Sequence, residues 1–223
     1  MLSSDKPRSR VSADKSVPAT GAKSAIVRGQ ILDAAAQLFR DQGYSATTLR
    51  QIANAAGMQA GSIYYHFAAK DEILDEVLEI GEMAVIDSVR AALAALPPEA
   101  GHRARIESAI RGHLDALLAK SVYSSANIRV FGQLPDDIKR RHRKRRGEYA
   151  KLWDGLFAKA REAGAIRSNL TVVPLRTFVL GALNWTVEWL DAEHHSVDAI
   201  ARRVSLLIFE GIESESARKR RPD

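Results

Sequence analysis

Two helical segments of about seven or eight residues each, neither able to stand alone in water, lie side by side in the first third of the chain and limit what it can become. The first opens at Thr48-Leu49-Arg50-Gln51. There the Thr48 hydroxyl can accept from the Gln51 amide while the Gln51 side chain reaches back to the Thr48 amide. Its apolar residues Leu49, Ile52, Ala53 and Ala56 recur at helical spacing, and Gly57 stops it. The second starts at about Ala60, with Ile63 and Phe67 facing inward. Short helices joined by a tight turn need a longer helix to brace them, and the result is a helix-turn-helix.

Longer helices are predicted on both sides. Ser24 can cap one on which Ile31, Ala35, Leu38 and Phe39 form a single apolar face, with Gly43 as its C-terminal glycine. Asp71 and Glu72 suit the positive end of another, whose apolar residues Ile73, Leu74, Val77, Leu78, Ile80, Gly81, Ala84 and Val85 carry it to about Leu96. Pro97-Pro98 breaks it. Further helices are expected at about 102–120, 124–132, 135–163, 174–190 and 196–211, with Pro135-Asp136-Asp137 a clear start. No run of alternating β-branched residues reads as a strand. The predicted fold is all-α: a three-helix helix-turn-helix domain at 24–70, then a larger helical bundle at 71–213. A basic arm at 1–23 and a tail at 214–223 flank them.

Charge separates the two parts. Residues 1–70 carry nine Lys/Arg against four Asp and no Glu, whereas residues 71–223 carry 24 Lys/Arg against 23 Asp/Glu. Basicity concentrated in the first third fits a polyanionic partner, or simply a solvated basic arm. The chain has no cysteine, which excludes disulfides, thiolate metal sites and cysteine nucleophiles. His194-His195 reads as a polar loop, because adjacent histidines on a helix diverge by about 100°. No phosphate loop, zinc-protease pattern or nucleophile elbow occurs, so neither an enzyme nor a bound cofactor is expected. With no export signal and no apolar run long enough to span a bilayer, a cytoplasmic protein without membrane contact is expected.

The stretch Thr47 to Lys70 carries the chemistry. A reader of duplex DNA needs a slim helix with polar side chains near its N-terminus. Gln59, Ser62, Tyr64, Tyr65 and His66 supply them, while Met58, Ile63 and Phe67 anchor the other face. Gly61 leaves room for a close phosphate. This run, with Gly61-Ser62-Ile63-Tyr64-Tyr65-His66-Phe67 at its centre, resembles the DNA-binding signature of the TetR family. The match extends from about Gly29 to Val77 and includes Ile31-Leu32-Asp33-Ala34-Ala35 and Gly43-Tyr44.

The resemblance implies a homodimeric regulator, usually a repressor, that binds a palindromic operator and is released by a small molecule. Thr47, Thr48 and Tyr65 would contact phosphates, and Arg50 either a phosphate or a guanine. Gln59, Ala60, Ser62 and Tyr64 would face base edges; His66 and Lys70 would meet the DNA backbone. Tyr64 and Tyr65 also admit a packing role. Where the family often has basic residues this chain has Ala60 and Ala68, and where it often has a capping Ser it has Ala69. Non-specific attraction then falls to Arg50, Lys70, Arg28, Lys23 and the arm.

The second half is less explicit. Leu180-Gly181-Ala182-Leu183-Asn184-Trp185 is similar to members that sense fatty-acyl or other CoA thioesters, so the implied effector is a small hydrophobic molecule or such a thioester. His113, Phe131, Tyr149, Trp153, Asn184 and Trp185 are the candidate ligand-binding residues. Trp185 and Trp189 fit either the pocket or a dimer interface, since Val172–Leu190 and Val197–Phe209 are apolar on more than one face. Lys139–Arg146, with seven Lys/Arg in eight positions, is readable as a solvated face, as a phosphate site for a CoA ligand, or as extra DNA contact. A structural DNA protein without an effector is the remaining rival. Gln59→Ala should change which DNA sequence is preferred, whereas Lys70→Ala should weaken binding to all sequences alike. Selection from random duplexes, with salt titrations of each variant, measures both effects.

Overall fold

The computed structural model describes residues 19–120, 122–190 and 196–210, and within them the chain is helical throughout. The basic arm before Ala19, the His194-His195 pair and the C-terminal tail lie outside the described residues. Helix α1 (Ala19–Gln42) already includes Ser24, so Ser24 is an interior residue and not the predicted cap. Gly43 follows at φ 82°, a left-handed backbone that ends the helix without strain. Helix α2 (Leu49–Ala55) starts with the reciprocal Thr48/Gln51 capping box, and Gly57 at φ 69° turns the chain out of it. The segment after it, Ala60–Tyr65, is a 3₁₀ turn and not the predicted α-helix. Its small residues Ala60, Gly61 and Ser62 provide little side chain to favour a wider coil, and Ile63 and the flanking Met58 and Phe67 tie it to the core.

Helix α3 (Lys70–Ala94) is the shared beam of the molecule. Its buried positions are Ile73, Leu74, Val77, Leu78, Gly81, Glu82, Val85, Ile86 and Val89, a sustained three-four spacing. Ile80, expected inside, is exposed, and the acidic Glu82 takes a place in the buried stripe. Ala69 precedes the helix without a side-chain cap, as its sequence requires. Glu72 compensates in part by accepting the Ala68 amide at 2.8 Å.

Helix α4 (His102–Leu114) passes into a π-helical turn at Asp115–Lys120, so the predicted helix at 102–120 changes pitch within its span. Helices α5 (Val122–Phe131), α6 (Asp136–Glu162), α7 (Val172–Trp189) and α8 (Val197–Glu210) follow. Two cores result. In the first, Ile31, Ala35, Phe39, Ile52, Ile63 and Phe67 pack with Ile73, Val77 and Leu78 of α3 and Val130 of α5. In the second, Val89 of α3 joins Ile106 and Ile110 of α4, Trp153 and Phe157 of α6, Leu183 of α7 and Ile200 of α8.

Two glycines set how closely α3 approaches its neighbours. A Cβ on Gly81 would stand 2.5 Å from the Tyr123 carbonyl oxygen of α5, and one on Gly112 would stand 2.8 Å from the Ser88 oxygen of α3. Replacing a helical glycine by alanine gains about 1 kcal/mol of helix propensity. Contacts this short against rigid backbone cost more, typically ~1–3 kcal/mol. Gly81→Ala and Gly112→Ala should therefore each lower the thermal midpoint, as a melt followed by circular dichroism would record.

Candidate nucleic-acid interface and effector cavity

The surface around the 3₁₀ turn is shaped by what is sunk and what is left out. Ile63 and Phe67 are fully buried and Met58 is half-buried against the same core. Gln59, Ala60, Gly61, Ser62, Tyr64 and Tyr65 are exposed, together with Thr48 and Arg50 on α2. Tyr64 is 62% and Tyr65 85% exposed, so neither ring serves as core packing. His66 is half-buried, its ring edge-on to Tyr65 at 5.2 Å.

Three of the basic or polar candidates are drawn inward. Thr47 is buried; its hydroxyl donates to the Gly43 carbonyl at 2.8 Å and accepts from Gln42 at 3.1 Å. The expectation of a phosphate contact from the Thr47 side chain is thus corrected, because the hydroxyl is consumed in closing the turn. Arg28 pairs with Glu76 of α3 and lies 4.0 Å above the Phe67 ring, which makes it a brace within the domain. Lys70 donates to the carbonyls of Tyr44 at 2.9 Å and Thr47 at 2.7 Å, with its ammonium 4.1 Å over the Tyr44 ring. Burial pulls the Lys70 ammonium below the usual lysine range. Tyr44 also donates its hydroxyl to Asp71. Lys70→Ala therefore removes a clamp as well as a charge, and a melt belongs beside its binding assay.

A cavity of about 240 Å³ opens between α3, α4, α5, α6 and α7. Of the six residues expected to meet a ligand, His113, Tyr149 and Asn184 line it. Trp153 is fully buried behind them, edge-on to both rings at 6.3 Å. Phe131 and Trp185 need correction. Phe131 lies outside the wall, beneath the Arg146 guanidinium at 3.5 Å, and Trp185 is 65% exposed on the outer side of α7. Its i,i+4 partner Trp189 is exposed as well, so neither tryptophan belongs to the cavity.

His113 is enclosed and held at both nitrogens. Tyr149 lies 2.7 Å from Nδ1 and the Asn184 Oδ1 lies 3.0 Å from Nε2. A neutral ring satisfies both, with Nε2–H donating to Asn184 and Nδ1 accepting from the Tyr149 hydroxyl. Desolvation drives its pKa down to about 4.

The other polar lining was hidden in the basic block. Helical geometry splits that block: Arg140, Arg143 and Lys144 are exposed, while His142, Arg145 and Arg146 turn toward α3 and α5. Buried Glu82 is their common partner. Its Oε2 takes His142 Nδ1 at 3.0 Å and Arg145 at 3.0 Å. Asp75 faces the other His142 nitrogen at 3.3 Å, and these two carboxylates raise the His142 pKa. Arg145 and Arg146 line the cavity, as does Arg176 of α7. A charged residue inside an apolar helical stripe, such as Glu82 in α3, is the signal that identifies this cluster.

Residues 31–77 match the family model described as bacterial regulatory proteins, tetR family, and residues 99–212 match the tetracyclin repressor-like C-terminal domain. The chain belongs to the TetR family. TetR regulators are DNA-binding transcription factors of the helix-turn-helix type, so the chain is a DNA-binding regulator and not an enzyme. It is 27% identical over 196 residues to the HTH-type transcriptional repressor KstR2 of Rhodococcus jostii, spanning 84% of this chain and 91% of that one. The regulator PfmR of Thermus thermophilus has the same fold, with a TM-score of 0.71, 23% identity and coverage of 82% and 99%. So does AibR, solved with isovaleryl coenzyme A and operator DNA, with a TM-score of 0.73, 21% identity and coverage of 82% and 98%.

The neutral, buried His113 makes stability depend on acid. Its folded pKa lies below its unfolded value of about 6.5, so the unfolded chain binds the extra proton and stability falls as pH drops from 6.5 toward 4. Full titration across that window corresponds to roughly 3 kcal/mol. His113→Gln should flatten this part of the stability profile, read from urea unfolding at stepped pH.

Proposed function

We propose that the chain is a ligand-responsive repressor that binds a palindromic operator as a homodimer and lets go when a small molecule fills the α3–α7 cavity. The observation that carries this reading is that one helix, α3, serves both sites. Its first residue, Lys70, grips the turn that precedes α2, and its middle residues Gly81, Glu82, Val85 and Ile86 form one wall of the cavity. A ligand that favours a different tilt of α3 displaces the reading turn, and linkage requires DNA to oppose that ligand by the same free energy, typically 1–3 kcal/mol. The unit from α1 through the 3₁₀ turn is the DNA-reading part. Within it Gln59, Ser62 and Tyr64 face bases, and Thr48, Arg50 and Tyr65 set the register on phosphates.

Two-fold pairing is supported by α7 and α8. Val173, Phe178, Trp185, Trp189, Leu206 and Leu207 are all between 48% and 80% exposed. An apolar surface of this extent on two consecutive helices is costly in water, and a second copy offers the same surface in return. Pairing sets two reading turns about one DNA turn, roughly 34–36 Å, apart. The cavity and the AibR complex with isovaleryl coenzyme A support a small-molecule effector with an apolar body.

Phe178→Asp combined with Trp185→Asp should convert a dimer to a monomer in sedimentation and weaken operator binding more than a hundredfold. Operator-bound chain titrated with candidate effectors should release its DNA in a mobility-shift assay, with a five- to 150-fold loss of affinity. A ligand that saturates the cavity and leaves the operator complex intact would sink the release mechanism.

A further inference from the structure

The polar wall of the cavity is dominated by cations: Arg145, Arg146 and Arg176 all line it. The Asn184 Oδ1 is occupied by His113, which leaves only the amide N–H group of Asn184 to offer. The Asn127 Oδ1 accepts from Arg146 at 3.3 Å, the Ser124 hydroxyl gives its proton to the Gly81 carbonyl, and Glu82 Oε1 accepts no hydrogen bond among the described residues. Among the described lining residues Glu82 is the one carboxylate, and its side chain is 6% exposed. The arginine side chains are open by comparison: Arg146 at 36%, Arg145 at 26% and Arg176 at 20%.

These three cations are not equally satisfied. Arg145 has two carboxylates, Glu79 at 2.7 Å and Glu82 at 3.0 Å. Arg176 donates its Nε to Asp154 at 2.8 Å. Among the described residues, Arg146 has only a neutral amide oxygen within hydrogen-bond distance, with Glu82 Oε1 farther off at 3.8 Å and the Phe131 ring beneath it. Burial accordingly pulls Arg146 below the usual guanidinium range. A guanidinium presents a planar fork of donors suited to two oxygens of one acid group.

We propose that the molecule bound in this cavity is a compact organic anion, its carboxylate or phosphate monoester held by Arg146 and Arg176 and its short apolar body against Val85, Ile86, Ile128 and Leu180. This rests on the reading of the cavity as the effector site and narrows it. A CoA thioester would bring a neutral carbonyl to the same wall, and its phosphates would remain outside a cavity of about 240 Å³.

The test is calorimetric titration of the full-length chain with straight-chain acids from butyrate to decanoate, isovalerate and phenylacetate. Each is paired with its primary amide and the matching alkyl phosphate, and isovaleryl coenzyme A is titrated alongside. At least one acid or phosphate should bind tenfold or more tightly than its amide, and the tighter of the two anions identifies the acid group. Arg146→Gln should erase that preference, Arg176→Gln should reduce it, and Arg146→Lys should retain part of it. Melts of each variant establish that it is folded, and Arg146→Lys and Arg176→Gln serve should Arg146→Gln fail to fold.

The proposal is overturned by amides that bind as tightly as acids or by a preference that survives both glutamine variants. A series in which no anion binds below millimolar concentration, or binding of isovaleryl coenzyme A without any of the small anions, overturns it equally. An anion that binds as described yet leaves operator affinity unchanged keeps this site and removes the release mechanism. A neutral molecule that fills the cavity and releases operator does the reverse.

Discussion

The ammonium of Lys70 is where the two halves of this protein are joined. It is the first residue of α3, and it is fixed by two carbonyls that belong to the loop between α1 and α2. Those carbonyls lie at a chain reversal, where the Tyr44 oxygen also accepts from the Thr47 amide, and they compensate the hydration that the half-buried cation loses. The Tyr44 ring below the ammonium and the Tyr44–Asp71 hydrogen bond close the same joint from the other side. A reading turn held only by Ile63 and Phe67 would pivot. Held also at its upstream loop, it follows α3 as a unit.

The middle of α3 carries a different kind of bond. Glu82 lies about 18 Å along the helix from Lys70, twelve residues at 1.5 Å each. It replaces an apolar side chain in the stripe that faces α5 and α6, and it gathers His142, Arg145 and, at longer range, Arg146. A buried carboxylate with such partners contributes little net stability compared with a leucine, yet removing one partner costs roughly 3–5 kcal/mol. Such a cluster specifies one packing of α3 against α6 and makes that packing sensitive to any new charge beside it. At this lever length a 5° change in tilt about Glu82 moves the Lys70 end by about 1.6 Å, more than a base-edge hydrogen bond tolerates.

Much of this was legible in the sequence where local chemistry decides the outcome. The Thr48/Gln51 capping box and the glycines at 43 and 57 are each determined within four residues, and the structure has them as read; the Pro135-Asp136-Asp137 start falls one residue later than expected, with Pro135 as the N-cap and Asp136 the first helical residue. The exposed polar side chains of 59–65 followed from the burial of Ile63 and Phe67. What escaped was set by contacts distant in sequence. Thr47 looks identical to Thr48 in the chain, and only the Gly43 carbonyl folded against it makes one a buried brace and the other an exposed cap. Trp185 and Trp153 are equally apolar, but the pitch of α7 turns the former outward while α6 buries the latter. The run of seven basic residues was readable only as charge, because which of them turn inward depends on Glu82, some sixty residues upstream.

A second connection makes the coupling between the halves more than a matter of one helix. Arg129 of α5 donates one end of its guanidinium to the carbonyl of Arg40 in the last turn of α1 and the other, at 2.8–2.9 Å, to both oxygens of Glu188 near the end of α7. The Arg40 carbonyl is one of the acceptors a helix C-terminus leaves unpaired, so its capture fixes α1 to α5 at little cost. Glu188 lies one residue before Trp189, on the helix whose apolar face the proposed dimer would cover. The reading unit is therefore held by two helices, by α3 beside the cavity and by α5 beside the pairing surface. Two attachments resist rotation that one would permit. Under the proposed release mechanism, a ligand that shifts α3 against a fixed α5–α7 frame would shear the reading unit and not merely carry it along, and such shear would alter the spacing between the two units of the proposed dimer on DNA.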